Sequence, residues 1–427
     1  MTHSWGNLYR PKHREVSLSW LSDVAPTSDE SLAVGNKRSY GDVCVNDGGS
    51  VIDTTGLNRF ISFDKAKGVL RCEAGVTLWQ IAKLIVPFGW FLPVTPGTGF
   101  VTLAGAVAND VHGKNHHVSG SFGCYVREFE LVRSNGERLV CNRSENAEFF
   151  AATIGGLGLT GLITWVEIDL KPITHTLIDV ESIAYESYSD FRRLSEESEK
   201  THEYCVSWID CLTESGSGVF FRGNHSSEGD LNASLDSPNR NVPAILGAGF
   251  PLVNRMSLAM FNYMYKKTHS GVRQYNETIG KFFYPLDSLL NWNRIYGRKG
   301  FYQFQCVVPF ESTDVLQEAL SRIAAGKQGS FLSVLKTMGD IRSPGLLSFS
   351  RPGVTLALDF PNQGDRTRQL LSALEHQVIE AGGAIYPAKD ANMSADHFRR
   401  SFPGLDEFKQ YKDPGFTSSF WKRVQSV

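Results

Sequence analysis

The sequence contains no uninterrupted apolar run of the roughly 18 to 20 residues that a membrane-spanning helix needs. Its first residues, MTHSWGNLYRPKHREV, also lack the apolar core of a secretory signal peptide. Lys and Arg number 43 against 45 Asp and Glu, so the net charge of −2 gives no electrostatic footprint for nucleic acid. We therefore expect a soluble, cytoplasmic protein with no nucleic-acid partner.

Cysteine is sparse, and its spacing argues against two kinds of site. The seven cysteines are scattered, odd in number and never spaced as Cys-x-x-Cys. This pattern disfavours a structural zinc site and a disulfide framework, and it favours a reducing compartment. His112, His116 and His117 lie in a glycine-rich loop without nearby acids, which favours cofactor contact or packing over metal binding. The sequence predicts no metal.

The two common nucleotide-binding motifs, Gly-x-Gly-x-x-Gly before a helix and the P-loop, are absent. Two other glycine-rich segments are present, Val34–Leu57 and Pro93–Gly123. Glycine loses much backbone entropy on ordering, so such segments often occur where the backbone approaches a phosphate closely. Arg38 and Ser39 in the first segment suit a pyrophosphate. The alternative is a surface loop, but the presence of two segments favours a phosphate ligand.

Several local patterns predict an α+β domain up to about residue 172. Thr77 and Gln80 form a capping box for a helix, and Asn135-Gly136 between two apolar runs predicts a β-hairpin. Ser144 is expected to open a second helix.

Residues 301–389 alternate in the order strand, helix, strand, strand, helix, strand, which is the ferredoxin-like βαββαβ arrangement. Helices cover one face of such a sheet and leave the other free to roof a site. Gln303 and Gln305 share one strand face, opposite Tyr302, Phe304 and Cys306. The glutamines face either a polar cavity or solvent; the pattern alone leaves both open.

The apolar segment Pro243–Lys267 is too short and too interrupted to span a bilayer. It is either a buried helix or an interfacial segment that meets lipid. Base rates of burial favour the buried helix.

Several runs together resemble the PCMH-type FAD-binding domain of the vanillyl-alcohol-oxidase superfamily. They are GNKRSYGD, NDGG, FDKAKGVLRCEAG, PFGWFLPVTPGT, NDVHGKNHHVSGSFG and IGGLGLTG. Further runs, such as FYPLDSLLNWNRIYGRKGFYQFQ, SFLSVLK, YPAKD and DPGFTSSFWKRV, are similar to the decaprenylphosphoryl-β-D-ribose 2′-oxidase branch. The resemblance implies an α+β fold with a two-subdomain FAD-binding domain over residues 1–175. A substrate domain with an antiparallel sheet and covering helices follows over 176–383, and residues 384–427 return to the FAD-binding domain.

The resemblance also implies a noncovalent FAD, because Tyr40 stands where relatives with covalent flavin often have a histidine. One departure is Lys37, at a position that is usually glycine; if a positive φ is needed there, Lys37 is strained or the loop is reshaped. The implied cofactor-binding residues are Arg38, Ser39, Tyr40, Gly41, Gly97, Thr98, Thr102, Gly105, Ala106, Asn109, His112, Gly113, Ser121 and Gly123.

The resemblance assigns a second set of residues to the substrate pocket. Lys389 is the favoured group for orienting the oxidised hydroxyl or accepting its proton, with Lys114 beside the flavin as the other catalytic candidate. For Lys336, a role in the pocket and a role as a surface cation or phosphate anchor are equally compatible with the sequence. The implied substrate-binding residues are Tyr284, Gln303, Gln305, Lys336, Thr355 and Tyr386.

The expected activity is oxidation of the 2′-hydroxyl of a polyprenyl-phosphate-linked ribofuranose to a 2′-keto sugar. This is the first half of an epimerisation that yields an arabinofuranose donor for cell-envelope polysaccharide. The implied partners are a short-chain reductase, a quinone and a membrane surface, which would place the protein at the periphery of the inner membrane. Two alternatives remain: a sugar-1,4-lactone (aldonolactone) oxidase of the same fold, and a flavin-binding protein without turnover.

Overall fold

The structure is a computed structural model that describes residues 3–23, 30–227, 229–231, 235, 240–241, 253, 255–326 and 328–426. These residues form a mixed α/β protein with large antiparallel sheets, as predicted. Within the described ranges, every helix is too short or too polar to cross a bilayer. All seven cysteines are free thiols.

The strands are numbered in chain order. They are β1 (Arg14–Ser17), β2 (Ser31–Val34), β3 (Ser50–Asp53), β4 (Phe60–Asp64), β5 (Val69–Glu73), β6 (Trp90–Phe91), β7 (Val126–Val132), β8 (Arg138–Asn142), β9 (Leu162–Asp169), β10 (Lys171–Pro172), β11 (Leu177–Tyr185), β12 (Tyr204–Ile209), β13 (Gly218–His225), β14 (Arg240–Asn241), β15 (Val272–Thr278), β16 (Leu289–Leu290), β17 (Phe301–Val308), β18 (Ser333–Met338), β19 (Gly353–Pro361) and β20 (Ala384–Ile385).

The α-helices are numbered in the same way. They are α1 (Leu78–Ile85), α2 (Leu103–Ala108), α3 (His116–Ser119), α4 (Ala147–Thr153), α5 (Tyr188–Ser198), α6 (Arg255–Thr268), α7 (Ile279–Phe283), α8 (Asp314–Ala325), α9 (Asp365–Glu380), α10 (Ala395–Ser401), α11 (Leu405–Tyr411) and α12 (Ser419–Gln425).

Three sheets form the described N-terminal part. Strands β1, β3 and β2 pair in parallel, an antiparallel sheet has the order β4-β5-β9-β7-β8, and β6 pairs with β10. Helix α1 packs its apolar side into the core of the larger sheet, where Ile81 joins Leu70 and Phe129. The predicted capping box is confirmed, since the Thr77 hydroxyl accepts from the Gln80 N–H and the Gln80 side chain accepts from the Thr77 N–H. The β7–β8 hairpin around Asn135-Gly136 is confirmed too.

The predicted start of the second helix is wrong. Helix α4 begins at Ala147, and its N-cap is Asn146, which lies in the left-handed region at φ 48°. The side-chain oxygen of Asn142 accepts from the N–H groups of Ser144 and Glu145 at 2.9 and 2.8 Å. This local turn holds Ser144 outside the helix, because a side-chain acceptor competes with the helical pattern.

The second large element is an antiparallel sheet of eight strands in the order β15-β11-β13-β12-β18-β19-β17-β20. Its second half runs β17-α8-β18-β19-α9-β20 along the chain, and its first half runs β11-α5-β12-β13-α6-β15. In both halves the first strand lies between the third and the fourth, and the halves join where β12 pairs with β18. The sequence indicated only the second of these units.

Alternate residues of the eight-stranded sheet point to opposite sides. Tyr302 and Phe304 of β17 pack with Leu316 of α8 and Leu371 of α9 in the largest apolar core. The helices therefore cover one face of this half, and the face that carries Gln303 is left for a cavity.

The C-terminal segment packs on the N-terminal sheets. Ser31 donates its N–H to the Gly415 carbonyl and accepts from the Thr417 N–H, both at 2.8 Å. The Ser419 N–H donates to the Val45 carbonyl at 2.7 Å. These bonds bring the residues after β20 back to the beginning of the chain.

The prediction of a buried helix in segment Pro243–Lys267 is wrong for its described part. Helix α6 exposes Met260, Tyr263 and Met264 to 62, 64 and 57%. Residues 243–252 and 254 of that segment lie outside the described residues. Apolar composition alone could not distinguish burial from an exposed apolar face.

Candidate active site

A cavity of about 720 Å³ lies where loops of the N-terminal part meet the face of the eight-stranded sheet opposite helices α8 and α9. Its lining includes the loop before Tyr40, the segment from Thr95 to Lys114, residues of β12, and alternate residues of β17, β18 and β19. The alternation follows from strand geometry, since residues two apart share a face. The cavity therefore joins the two glycine-rich segments to the sheet.

The first glycine-rich loop presents Arg38 to this cavity. Its guanidinium lies 4.3 Å from the ring centre of Trp5 and 5.0 Å from that of Phe100. The Nε of Arg38 is buried and has no hydrogen-bond partner among the described residues. Lys37 has a positive φ of 52°, so this position does need the left-handed conformation, and the amine of Lys37 is paired with Glu15 at 2.7 Å. The left-handed conformation of Lys37 costs conformational free energy, and the Nε–H of Arg38 remains available to bind a ligand.

The second glycine-rich loop donates hydrogen bonds to both carboxylate oxygens of Asp287. The Thr98 hydroxyl donates to Oδ1 of Asp287 at 2.6 Å, and the Gly99 N–H donates to Oδ2 at 2.7 Å. Burial raises the pKa of Asp287, whereas these two bonds and the charge of Arg38 lower it. A Cβ atom added to Gly97 would meet no atom of the described residues within 4 Å. The loop thus has donors suited to anionic oxygens beside open space.

A polar cluster connects His112 with the sheet. The Lys336 amine lies 2.8 Å from Nδ1 of His112 and also donates to the Gly113 carbonyl. The Gln305 amide lies 2.9 Å from Nε2 of His112 and donates to the Thr355 hydroxyl at 3.2 Å. Burial and the charge of Lys336 lower the pKa of His112 well below its ordinary value, so the imidazole is neutral. A neutral imidazole accepts at only one ring nitrogen, so His112 accepts either from the Lys336 amine at Nδ1 or from the Gln305 amide at Nε2.

Three lysines, of which Lys336 is buried and Lys114 and Lys389 are partly buried, face the cavity with weakened basicity. Burial lowers the pKa of Lys114 to about 7, and its amine donates to the Phe282 carbonyl. Burial and the neighbouring Lys114 lower the pKa of Lys336 to about 7. Burial also lowers the pKa of Lys389, and the charge of Asp359 opposes that shift. The cavity therefore holds amines that can lose a proton near neutral pH.

Lys389 lies against Tyr40 and close to a buried carboxyl. Its amine is 4.0 Å from the ring centre of Tyr40. Asp359 is fully buried, and its Oδ1 accepts from the Gln303 amide at 2.6 Å. Burial raises the pKa of Asp359, while the Gln303 bond and the charge of Lys389 lower it. Gln303 thus presents one side to the cavity and holds Asp359 behind it.

Most of the predicted site residues come together in this cavity. Those that line it are Arg38, Ser39, Tyr40, Gly97, Thr98, Thr102, Gly105, Asn109, His112, Gly113, Lys114, Gln303, Gln305, Lys336, Thr355, Tyr386 and Lys389. The polar cavity, rather than a solvated sheet face, explains the paired glutamines of β17. The described part of the chain has no cluster of three or more His, Cys, Asp or Glu placed to hold a metal ion.

Five predicted site residues do not line the cavity. Ala106 is in the core, and Gly41 packs so closely that a Cβ there would lie 1.6 Å from the Asp390 carbonyl oxygen. Ser121 and Gly123 lie behind the loop, where the Gly123 N–H donates to Asp110 at 2.8 Å. Tyr284 is buried beside Thr95, their hydroxyls 2.7 Å apart. These residues pack behind the residues that line the cavity.

Sequence reasoning missed an apolar part of the cavity. Trp208 of β12, Phe261 and Tyr265 of α6, and Phe331 and Leu332 before β18 line it. Trp208 and Tyr265 have ring centres 4.8 Å apart, and Phe261 meets Phe331 edge-on at 5.1 Å. Aromatic residues in a strand read as ordinary core, so no local signal distinguished them. Asp287 was missed for a similar reason, since it lies in a short turn far along the chain from Thr98.

Comparison with known proteins matches one family and three informative relatives. The FAD binding domain family matches residues 10–142. A decaprenylphosphoryl-beta-D-ribose oxidase of Mycolicibacterium smegmatis is 34% identical over 412 residues, which cover 92% of this chain and 89% of that protein. An uncharacterized protein of Streptomyces coelicolor is 29% identical over 82% of this chain and its own full length. A Neurospora crassa protein named as a D-arabinono-1,4-lactone oxidase is 28% identical over 29% of this chain and 22% of its own length.

Proposed function

Because this chain belongs to the decaprenylphosphoryl-β-D-ribose oxidase family of FAD-dependent oxidoreductases, we propose that it oxidises the 2′-hydroxyl of a polyprenyl-phosphate-linked ribofuranose. The product is the 2′-keto sugar. The resemblance recognised in the sequence, the FAD cofactor and the oxidoreductase class are confirmed by these relatives.

The observation that carries the proposal is the donor set where the two glycine-rich loops meet. Arg38 has an unpartnered Nε within the described structure, Gly97 borders open space, and Thr98 and Gly99 already bind two carboxylate oxygens. This chemistry fits the diphosphate of FAD, which needs several N–H and O–H donors and a cation. We assign Arg38, Ser39 and Gly97 to the diphosphate, and the hydrogen bonds of Thr98 and Gly99 to Asp287 hold the loop beside them. Tyr40 in place of a histidine supports noncovalent attachment.

When bound, FAD supplies the two-electron acceptor that takes the hydride from C2′ of the sugar. The hydroxyl proton must then go to a base of the chain, which leaves the carbonyl of the keto sugar. Lys389 is the proposed acceptor, since burial weakens its hold on a proton and Tyr40 fixes its position. Lys114 is the second candidate because its pKa is lowered to about 7.

The remaining polar residues of the cavity would orient the sugar. Gln305 and Thr355 present an amide and a hydroxyl, and Lys336 presents a cation anchored by His112. Holding the reacting carbon in one orientation supplies much of the acceleration in such reactions. The apolar part around Trp208 is suited to the first units of the polyprenyl chain.

We further propose a division of the chain into functional parts. Residues 1–175 and 384–427 hold the cofactor, and residues 176–383 hold the substrate. The bonds of Ser31 to Gly415 and Thr417 support the return of the C-terminal segment. A short-chain reductase would complete the epimerisation, and a quinone would reoxidise the flavin.

Anaerobic stopped-flow spectroscopy of the FAD-loaded protein tests the proposal. Polyprenyl-phosphoryl ribose should bleach the flavin absorbance, and the 2′-keto product should appear in equal amount. Bleaching by an arabinono-1,4-lactone with no effect of the lipid-linked sugar would instead identify the lactone oxidase. A flavin that stays oxidised with both compounds would leave a binding protein without turnover.

A further inference from the structure

Exposed large apolar side chains are concentrated in one part of the chain. Eight of those in the described residues lie between positions 256 and 289, on α6, β15 and β16: Met256, Met260, Phe261, Tyr263, Met264, Val272, Tyr275 and Leu289. We call these residues the apolar face. Single exposed apolar residues are ordinary, but a cluster of this size indicates a surface that contacts something apolar.

Helix α6 is held in place by the side opposite its exposed methionines. Leu258 and Asn262 are buried, and the Asn262 amide donates to Oδ1 of Asp210 at 2.6 Å. Met260 and Met264 are four residues apart and therefore lie one above the other on the outer side. The helix thus has a separate set of residues for packing, and its outer side is not needed for that purpose.

The surroundings of the apolar face carry a surplus of positive charge. Residues 256–281 contain four basic side chains, Lys266, Lys267, Arg273 and Lys281, and one acidic side chain, Glu277, and Glu186 lies 4.0 Å from Lys266. The whole chain has a net charge of −2, so this surplus is local. Apolar residues beside Lys and Arg suit the surface of an anionic bilayer, where the former enter the acyl boundary and the latter meet the headgroups. Two copies of this face would repel each other.

The apolar face is continuous with the cavity. Phe261, Tyr275 and Leu289 belong to the face and also line the cavity, and each is partly exposed, so the cavity opens there. A substrate whose lipid chain is anchored in a bilayer could reach the sugar site only through such an opening. This step rests on the proposed function; the exposure and the charge do not.

From these observations we propose that the apolar face docks on an anionic phospholipid bilayer and takes the lipid-linked sugar directly from it. Docking places the cavity mouth against the lipid surface. The polyprenyl chain then moves from the acyl layer along Phe261 and Tyr265 without crossing water.

Sedimentation with vesicles tests the docking surface. The FAD-loaded protein should bind phosphatidylglycerol-containing vesicles and not pure phosphatidylcholine vesicles, and binding should weaken as salt increases. The double variant Met260→Gln/Met264→Gln and the double variant Lys267→Glu/Arg273→Glu should each lose at least about tenfold in affinity. The control Phe60→Thr/Ile61→Thr removes two exposed apolar residues from β4 and should bind like the unchanged protein.

A second measurement separates this proposal from the proposed function. Flavin bleaching by a short-chain, water-soluble prenyl-phosphoryl ribose does not require a bilayer and should be the same in all these variants. Bleaching without vesicle binding, or equal vesicle binding by the Met260→Gln/Met264→Gln variant, overturns the docking surface. If the unchanged protein forms a concentration-dependent dimer that the Met260→Gln/Met264→Gln variant does not form, the apolar face is a dimer interface, and the docking surface is overturned as well. Vesicle binding without bleaching overturns the proposed function and leaves the docking surface in place.

Discussion

Arg423 donates two parallel hydrogen bonds to Asp42, from Nε to Oδ2 and from Nη2 to Oδ1, each 2.8 Å long. The same Nη2 donates to Asp390 at 2.8 Å. Asp42 lies in the first glycine-rich segment and Asp390 follows Lys389, so one guanidinium joins the cofactor loop to the proposed catalytic lysine. The carbonyl of Asp390 lies directly against Gly41, which explains why no side chain fits there.

Replacing Arg423 should therefore loosen the cofactor loop as well as destabilise the fold. Arg423→Gln leaves two buried carboxylates without their cation, and we expect a loss of about 3 to 5 kcal/mol in the free energy of unfolding. FAD should bind more weakly, as measured by fluorescence titration. Arg133→Gln is the matched control, since Arg133 pairs with the buried Asp413 at 3.1 Å outside the cavity. It should lose stability with unchanged FAD affinity, and equal effects of both variants on FAD would contradict the coupling.

The rate of substrate oxidation should increase with pH. If Lys389 accepts the hydroxyl proton, it must be neutral, so kcat/KM should rise through an apparent pKa of about 8 and then level off. The charge of Asp359 raises the pKa of Lys389, so Asp359→Asn should move the rise to lower pH. Asp365→Asn, at an exposed position, should leave the profile unchanged. A rate that falls with pH would show that Lys389 works as a cation that orients the hydroxyl.

Stability should also increase with pH above neutrality. Lys114 has a pKa of about 7 in the folded protein and an ordinary value of 10.5, so between these values the unfolded chain binds more protons. The free energy of unfolding therefore rises with pH in that window and is lowest below it. Urea unfolding of the FAD-free protein at several pH values measures the slope. Lys114→Met should reduce the slope, whereas Lys83→Met on the exposed side of α1 should not.

The flavin should leave the protein on denaturation. Tyr40 is buried with its ring against Lys389, and burial raises its pKa well above the ordinary value, so it stays a neutral phenol. A neutral phenol at this position does not bond to the flavin ring. After acid precipitation, all flavin absorbance should be in the supernatant. Yellow colour retained in the pellet would contradict noncovalent binding.

The parts of the fold that could be predicted are those in which a short pattern determines the local geometry. The capping box of Thr77, the Asn135-Gly136 turn and the alternation around Gln303 each act within a few residues. The predicted helix start at Ser144 was wrong because the Asn142 side chain accepts from the Ser144 N–H and so competes with the helical pattern. Trp208 and Asp287 could not be assigned to the site, since their roles depend on contacts with residues more than fifty positions away.

The two halves of the eight-stranded sheet treat their second helix differently. Helix α9 covers the face away from the cavity and buries Leu371 and Leu374 there. Helix α6 occupies the same place in the chain order, yet its Phe261 and Tyr265 lie on the cavity side. The two halves thus share one element order, and in the first half the second helix contributes side chains to the cavity instead of covering the far face. A change in the lipid carrier would then require substitutions in the first half of the sheet only. The second half, whose strands β17, β18 and β19 face the sugar site, would keep its residues.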